Sequence, residues 1–207
     1  MTANAQHELE HALTHLAKQD RVIRKALQAI GMPKSRRRPG GFATLANIIV
    51  GQQISTKAAD AIWRRVKTAT GTISASNVMG TPDQNLRDAG LSASKLKTLK
   101  AIASAVEQQD LNFRTLARMS DEAAKAHLTR IWGIGDWTAD IYLMFAMNRP
   151  DVWPVGDLAL RTGWQAIIGD PERIGAEDLS AHALQWSPYR SAAAVFLWHA
   201  VAAQKAA

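Results

Sequence analysis

Apolar residues recur three, four or six to seven positions apart along nearly all of this 207-residue chain, and nowhere do they alternate convincingly. That period is the signature of helix faces, not of strands, so the predicted fold class is all-α. Gln6 to Gln28 carries Leu9, Leu13, Leu16, Val22, Ile23 and Leu27 and reads as one helix, stopped by Gly31-Met32-Pro33. Phe42 to Val66 offers Phe42, Leu45, Ile48, Ile49, Ile62 and Val66 as a core face, interrupted by Gly51-Gln52-Gln53-Ile54-Ser55. A glycine inside a helix costs about 1 kcal/mol against alanine, so two helices are predicted to join here, with Ser55 capping the second. A short helix starts at Thr81-Pro82-Asp83, and Ser92 or Ser94 caps another through Gln109. Ser120 caps Asp121 to Ile131, because Asp121 and Glu122 suit the positive end of a helix. Thr138 to Met147, Asp157 to Ile168, Glu177 to Gln185 and Tyr189 to Ala203 complete the helical reading, with Pro150 to Gly156 as an irregular excursion.

Composition narrows the function classes. The chain has no cysteine, which excludes disulfides, thiolate zinc sites and a cysteine-held iron–sulfur cluster. No apolar run approaches the ~20 residues of a membrane span, and Met1 to Glu10 does not read as a secretory signal. No membrane association is expected. The default location is cytoplasmic, among the nucleoid, or nuclear in a eukaryote. Twenty-five Lys and Arg against eighteen Asp and Glu give a net charge of +7, which favours a polyanionic partner. Seven Trp against two Tyr and four Phe supply flat faces for a core or for stacking on bases. The six histidines show no metal-ligand spacing.

The strongest local pattern runs from Leu128 to Asp140, where Gly133 and Gly135 flank Ile134 between two amphipathic stretches. Glycines let the backbone approach a ligand closely, and the second helix begins directly after them. Its unpaired N–H groups then form an anion site, while Leu128, Ile131 and Ile134 pack the two helices together. An ordinary helix–turn–helix joint has the same G-x-G outline, so the pattern alone leaves both readings open.

One loop and one helix further on, Trp153-Pro154-Val155-Gly156-Asp157 places a carboxylate behind a Pro/Gly turn. The two elements together resemble the DNA glycosylase superfamily that joins a helix-hairpin-helix to a Gly/Pro-rich loop and a catalytic Asp. The resemblance covers Phe42 to Trp198. It is closest to the 3-methyladenine (alkylpurine) glycosylase II branch, through Gly51-Gln-Gln-Ile-Ser55, Leu91-Ser-Ala-Ser-Lys95 and Trp186-Ser-Pro-Tyr-Arg-Ser191. It implies one glycosylase unit of two helical lobes with the active-site cleft between them. Residues 1–40 and 164–207 are expected in one lobe, and residues 41–163 in the other with the hairpin. The extra N-terminal β domain that some members of the branch carry is not expected here.

The same resemblance assigns residues. Asp157 is the catalytic acid, stabilising the positive charge that builds on deoxyribose as the base departs and activating water. Its position before Leu158-Ala159-Leu160-Arg161 also suits a plain helix N-cap, and both roles are compatible. Members that nick the backbone carry a Schiff-base Lys where this chain has Trp137, so a monofunctional hydrolase without lyase activity is implied. Trp137 and Trp198 line the base pocket, with Ile141 and Leu158 where some relatives have Tyr; an aromatic face attracts electron-poor alkylated purines. Gly133, Ile134, Gly135, Asp136 and Thr138 contact DNA with Gln53 and Ser55, and Gln53 is the residue inserted when the base flips out. Backbone carbonyls of Thr129, Ile131 and Ile134 are expected to hold a structural Na+ or K+; no other cofactor is expected. The expected partner is double-stranded DNA with damaged bases, bound by a monomer. Arg36-Arg37-Arg38 is expected to be solvated loop outside the active site. Glycosylases for other damaged or mismatched bases, and a non-catalytic hairpin protein that only grips phosphate, remain as alternatives.

Overall fold

Local capping chemistry explains most of the helix boundaries in the computed structural model, which describes residues 3–170, 172 and 174–206. In chain order the helices are α1 (Ala3–Gln19), α2 (Arg21–Ile30), α3 (Phe42–Gly51), α4 (Thr56–Thr70), α5 (Ala75–Gly80), α6 (Asp83–Asp88) and α7 (Ala93–Glu107). They continue as α8 (Phe113–Leu116), α9 (Asp121–Thr129), α10 (Asp136–Phe145), α11 (Leu158–Ile168), α12 (Ala176–Ala183) and α13 (Arg190–Ala206), with a 3-10 turn at Leu184–Trp186. No strand occurs among the described residues, and no helix among them is long and apolar enough to cross a membrane. Ser55, Ser92 and Ser120 accept from the backbone N–H groups of Ala58, Lys95 and Ala123, closing the first turns of α4, α7 and α9.

The chain divides into two compact units, residues 39–147 and residues 1–38 with 148–207. In the first, α7 is the central element and packs against α3, α5 and α6, while α10 packs against α9 and α3. Leu45, Ile49, Val66, Val78, Leu86, Leu99, Ile102, Leu116 and Leu128 are buried there. Each such side chain contributes about 1.5–3 kcal/mol relative to exposure. In the second unit α11 lies along α13, and α1 packs on α2 and α13. Leu13, Leu16, Ile23, Trp164, Trp186, Phe196 and Leu197 form its core.

Two expectations are corrected. The stretch Gln6–Gln28 is two helices, because Asp20 leaves the helical region and accepts from the N–H groups of Val22 and Ile23. Its other carboxylate oxygen accepts from the indole Nε1 of Trp186 at 2.9 Å, so the break is fixed by the core. Residues 148–163, expected with the hairpin unit, belong to the other one. The reason is packing: α11 sits against α13 and α2. A Cβ on Gly163 would overlap the backbone carbonyl of Leu197, so glycine lets the α11 and α13 backbones meet.

Candidate active site

In the unit of residues 39–147 the hairpin joins α9 to α10. Leu128 and Ile134 are buried, and the turn is closed by Ile131 N–H on Leu128 O and Ile134 N–H on Ile131 O, both 3.1 Å. The two glycines have different reasons to be there. Gly133 has φ +83°, and a Cβ on it would overlap the Thr98 hydroxyl on α7. Gly135 has an ordinary φ of −95°, and a Cβ there would meet nothing within 4 Å. Gly135 therefore does not need positive φ; its absent side chain leaves the start of α10 uncapped and facing open space. Gly135, Asp136 and Trp137 are exposed around this helix start, a geometry suited to an anion.

Thr138 is buried, and its hydroxyl accepts from Gln52 Nε2 at 2.7 Å. That bond ties the Gly51–Ser55 turn to the hairpin helix. Gln53 at the tip is exposed with φ +54°, Ile54 beside it is 37% exposed, and Ser55 is occupied as the α4 cap. Ile141, one turn along α10 from Trp137, is buried. Beneath the hairpin, Asp140 is buried and pairs with Lys125 on α9 at 3.0 Å. Burial pushes its carboxyl above the usual range although Lys125 pulls the other way. Trp132, before Gly133, is exposed with the Lys97 ammonium 4.1 Å over its ring. Neither pair was singled out from the sequence, although a Trp directly before G-x-G is a visible signal.

In the unit of residues 1–38 and 148–207 the excursion before Asp157 is irregular in backbone but firmly held. Ser191 of α13 accepts from Val152 N–H at 3.0 Å and donates to Arg149 O at 2.8 Å. Arg190 grips Asp151 through Nε at 2.8 Å and Nη2 at 2.9 Å, and Ser187 donates to the same carboxylate at 2.8 Å. Burial raises the Asp151 pKa, but these hydrogen bonds outweigh it and hold the carboxyl below the usual range. Trp153 Nε1 donates to Ser180 Oγ at 3.2 Å. Gly156, at φ +83°, then turns the chain into Asp157. Asp157 Oδ1 accepts from Leu160 N–H at 3.0 Å, capping α11, and from Trp198 Nε1 at 3.2 Å. The cap and the orientation of the carboxylate are thus one arrangement. Leu158 is exposed and Trp198 buried.

The arginine run is exposed loop, as expected, but it is fastened in place. Gln6 Nε2 donates to Pro33 O, Gln6 Oε1 accepts from Ser35 N–H, and Arg37 pairs with Glu8 at 3.2 Å. These contacts lay the segment along α1 and put the Arg36 guanidinium 5.7 Å from the centroid of the Trp198 ring, the ring that holds Asp157. Arg36 therefore adjoins the candidate carboxylate's environment, through contacts remote in sequence. For the cation, the donor set at Thr129, Ile131 and Ile134 is three backbone carbonyls, hard oxygens that fit Na+ or K+. The Ile131 oxygen already accepts one hydrogen bond and keeps its second lone pair. No group of three His, Cys, Asp or Glu suited to a metal occurs among the described residues.

Residues 46–188 match the HhH-GPD superfamily of base excision DNA repair proteins, and the chain belongs to that family. The DNA-3-methyladenine glycosylase 1 of Schizosaccharomyces pombe is 31% identical over 201 residues, covering 92% of this chain and 86% of the relative. Among solved structures, the 3-methyladenine DNA glycosylase of Schizosaccharomyces pombe, in complex with abasic DNA, superposes with a TM-score of 0.85. It is 30% identical and covers 91% of this chain and 95% of that one. A DNA-3-methyladenine glycosidase from Bacillus halodurans gives 0.77 at 32% identity, covering 91% and 88%. The chain has no cysteine with which to hold an iron–sulfur cluster.

Proposed function

We propose that this protein is a monofunctional DNA-3-methyladenine glycosylase of base excision repair, acting on alkylated purines in double-stranded DNA. The observation that carries the reading is Asp157. It stands behind a loop stapled to α13, with one carboxylate oxygen oriented by Leu160 N–H and Trp198 Nε1, in a chain of the HhH-GPD family. The start of α10 binds a DNA phosphate through its backbone. The damaged nucleotide leaves the stack at a cost of a few kcal/mol, which the tip of the Gly51–Ser55 turn offsets by filling the gap.

The bond that breaks joins the sugar C1′ to the purine nitrogen, and its electron pair leaves with the base. Positive charge then grows on the sugar ring, where the Asp157 carboxylate stabilises it. Asp157 orients the attacking water and takes its proton, the water oxygen bonds to C1′, and the product is an abasic site with the backbone intact. Trp137 supports the monofunctional reading, since an indole in the position of the lyase amine forms no imine. It also presents an aromatic face to an electron-poor base. The carbonyls of Thr129, Ile131 and Ile134 would hold Na+ or K+, which would stiffen the hairpin turn; no chemical step needs it. Action as a monomer, in the cytoplasm or a nucleus, belongs to the same proposal.

The test is base release from duplexes carrying single alkylated, deaminated or oxidised bases, with and without borohydride. Release of 3-methyladenine with no trapped covalent adduct is the expected result. Release confined to oxidised bases, or efficient trapping, overturns the reading.

A further inference from the structure

The turn between α3 and α4 combines irregular backbone with rigid attachment. α3 ends at Gly51, where the carbonyls of a helix's last turn lose their intrahelical partners. Lys95 supplies donors there: its Nζ donates to Val50 O at 2.8 Å and to Gln52 O at 2.7 Å. A cation at this end also meets the negative end of the α3 dipole. Lys95 is itself placed by the start of α7, where its N–H is bonded to the Ser92 cap. Burial lowers its pKa from the ordinary 10.5, as expected for an ammonium that has exchanged part of its hydration for two carbonyls. On the other side, Gln52 Nε2 reaches Thr138 Oγ1 in the first turn of α10.

Between these two fastenings stand Gln53 and Ile54, both exposed, with Gln53 in the left-handed region at φ +54°. A non-glycine residue holds that conformation only where its surroundings over-determine it. The fastenings are what over-determine it. A tip that must push a base pair apart has to resist being pushed back, and a loop without such attachment would yield.

We propose that Lys95, with Gln52, is a positioning residue for DNA distortion. It holds the Gln53–Ile54 tip in fixed register with the hairpin, so that the tip and not the base stack keeps its place. The inference rests on the glycosylase reading above, and it assigns to Lys95 no contact with substrate. Its signature is selectivity: Lys95 should matter where the lesion is paired and stacked, and hardly at all where no pair has to be opened.

The test compares wild type with Lys95→Met and Lys95→Arg in single-turnover excision of one alkylated purine. The lesion is placed either in a fully paired duplex or in an unpaired bubble. Lys95→Met is expected to be about tenfold or more slower on the paired duplex and within about twofold of wild type on the bubble, with Lys95→Arg restoring most of the loss. An equal loss on both substrates, or none on either, overturns the proposal. Fluorescence of 2-aminopurine beside the lesion reads flipping without any chemistry. If wild type releases no alkylated base at all, the glycosylase reading fails, and the fluorescence rise still decides the role of Lys95. A rise lost in Lys95→Met supports it, and an unchanged rise overturns it. Should Lys95→Met not fold, Gln52→Leu removes the other fastening and must show the same selective loss; equal behaviour on both substrates overturns the proposal.

Discussion

Replacing Asp157 with Asn separates two roles that the same oxygen performs. Asparagine caps helices as well as aspartate does, and its side-chain oxygen can still accept from Leu160 N–H and Trp198 Nε1. What is lost from stability is the charge at the positive end of α11, about 0.3–1 kcal/mol. For a chain of this size that is a fall of no more than about 4 °C in the thermal midpoint. What is lost from the transition state is a full negative charge facing a developing positive one. At about 4 Å and an effective dielectric constant of about 20 that attraction is roughly 4 kcal/mol. The rate of base release should therefore drop about a thousandfold. Asp157→Ala removes the cap as well, so it should unfold about 2–4 °C lower still, at about 1 kcal/mol, while losing a similar factor in rate. The assay is single-turnover release of 3-methyladenine beside calorimetric melting of the three proteins, with DNA affinity as a control. If Asp157→Asn keeps its rate within about tenfold of wild type, the carboxylate is only a cap and the mechanism is refuted.

Other expectations follow from the same geometry. Trp198→Phe removes the indole donor to Asp157 Oδ1; at 3.2 Å this bond belongs at the weak end of the ~1.5–3 kcal/mol range for charged acceptors. A kcat lowered about tenfold with KM for DNA unchanged is expected, and an unchanged kcat would show that the indole does not orient the acid. Gly163→Ala forces a methyl into the Leu197 carbonyl and should cost about 1–3 kcal/mol or more, read as a lower melting temperature; an unshifted midpoint would mean the two helices are not in backbone contact. Gly133→Ala meets both Thr98 and a positive φ, so Thr98→Ala should rescue only part of a loss of about 1–3 kcal/mol; full rescue would show that φ carries no penalty. Asp151, held below its ordinary pKa of 3.8 by Arg190 and Ser187, adds stability that is present above that value and lost as the pH falls through the lower folded one. Wild type should exceed Asp151→Asn by about 1–2 kcal/mol at pH 7 in denaturant unfolding, and the gap should close in acid; a gap independent of pH contradicts the pairing.

Most of the architecture was legible because it is written in local chemistry. Ser55, Ser92 and Ser120 each stand before a helix they cap, and the Gly51–Ser55 interruption is a real joint. The break at Asp20 was hidden because the apolar period runs on through Leu16, Val22 and Ile23, and the partner that fixes it, Trp186, lies far along the chain. Helices α5 and α8 are too short to show a period. The site was legible in its residue types, Gly133, Gly135 and Asp157, and much less in its supports. Ser191 under Val152, Arg190 on Asp151, Lys95 under Gln52 and Arg36 over Trp198 all join positions remote in sequence, where no spacing rule reaches. Arg36 makes the point most clearly. A run of three arginines reads as solvated charge, and only Gln6 and Glu8 of α1 reveal where it lies.

Helix α13 carries both the staple of the excursion before Asp157 and the indole that orients Asp157. Ser191 and Trp198 are roughly two turns, about 10 Å, apart along it. The helix thus works as a gauge bar from which the start of the loop and its final carboxylate are both measured. A displacement of α13 would carry loop, indole and acid together, because each is bonded to it. Part of the precision at the acid is thus inherited from one rigid rod, with the α11 cap and the turn at Gly156 supplying the rest.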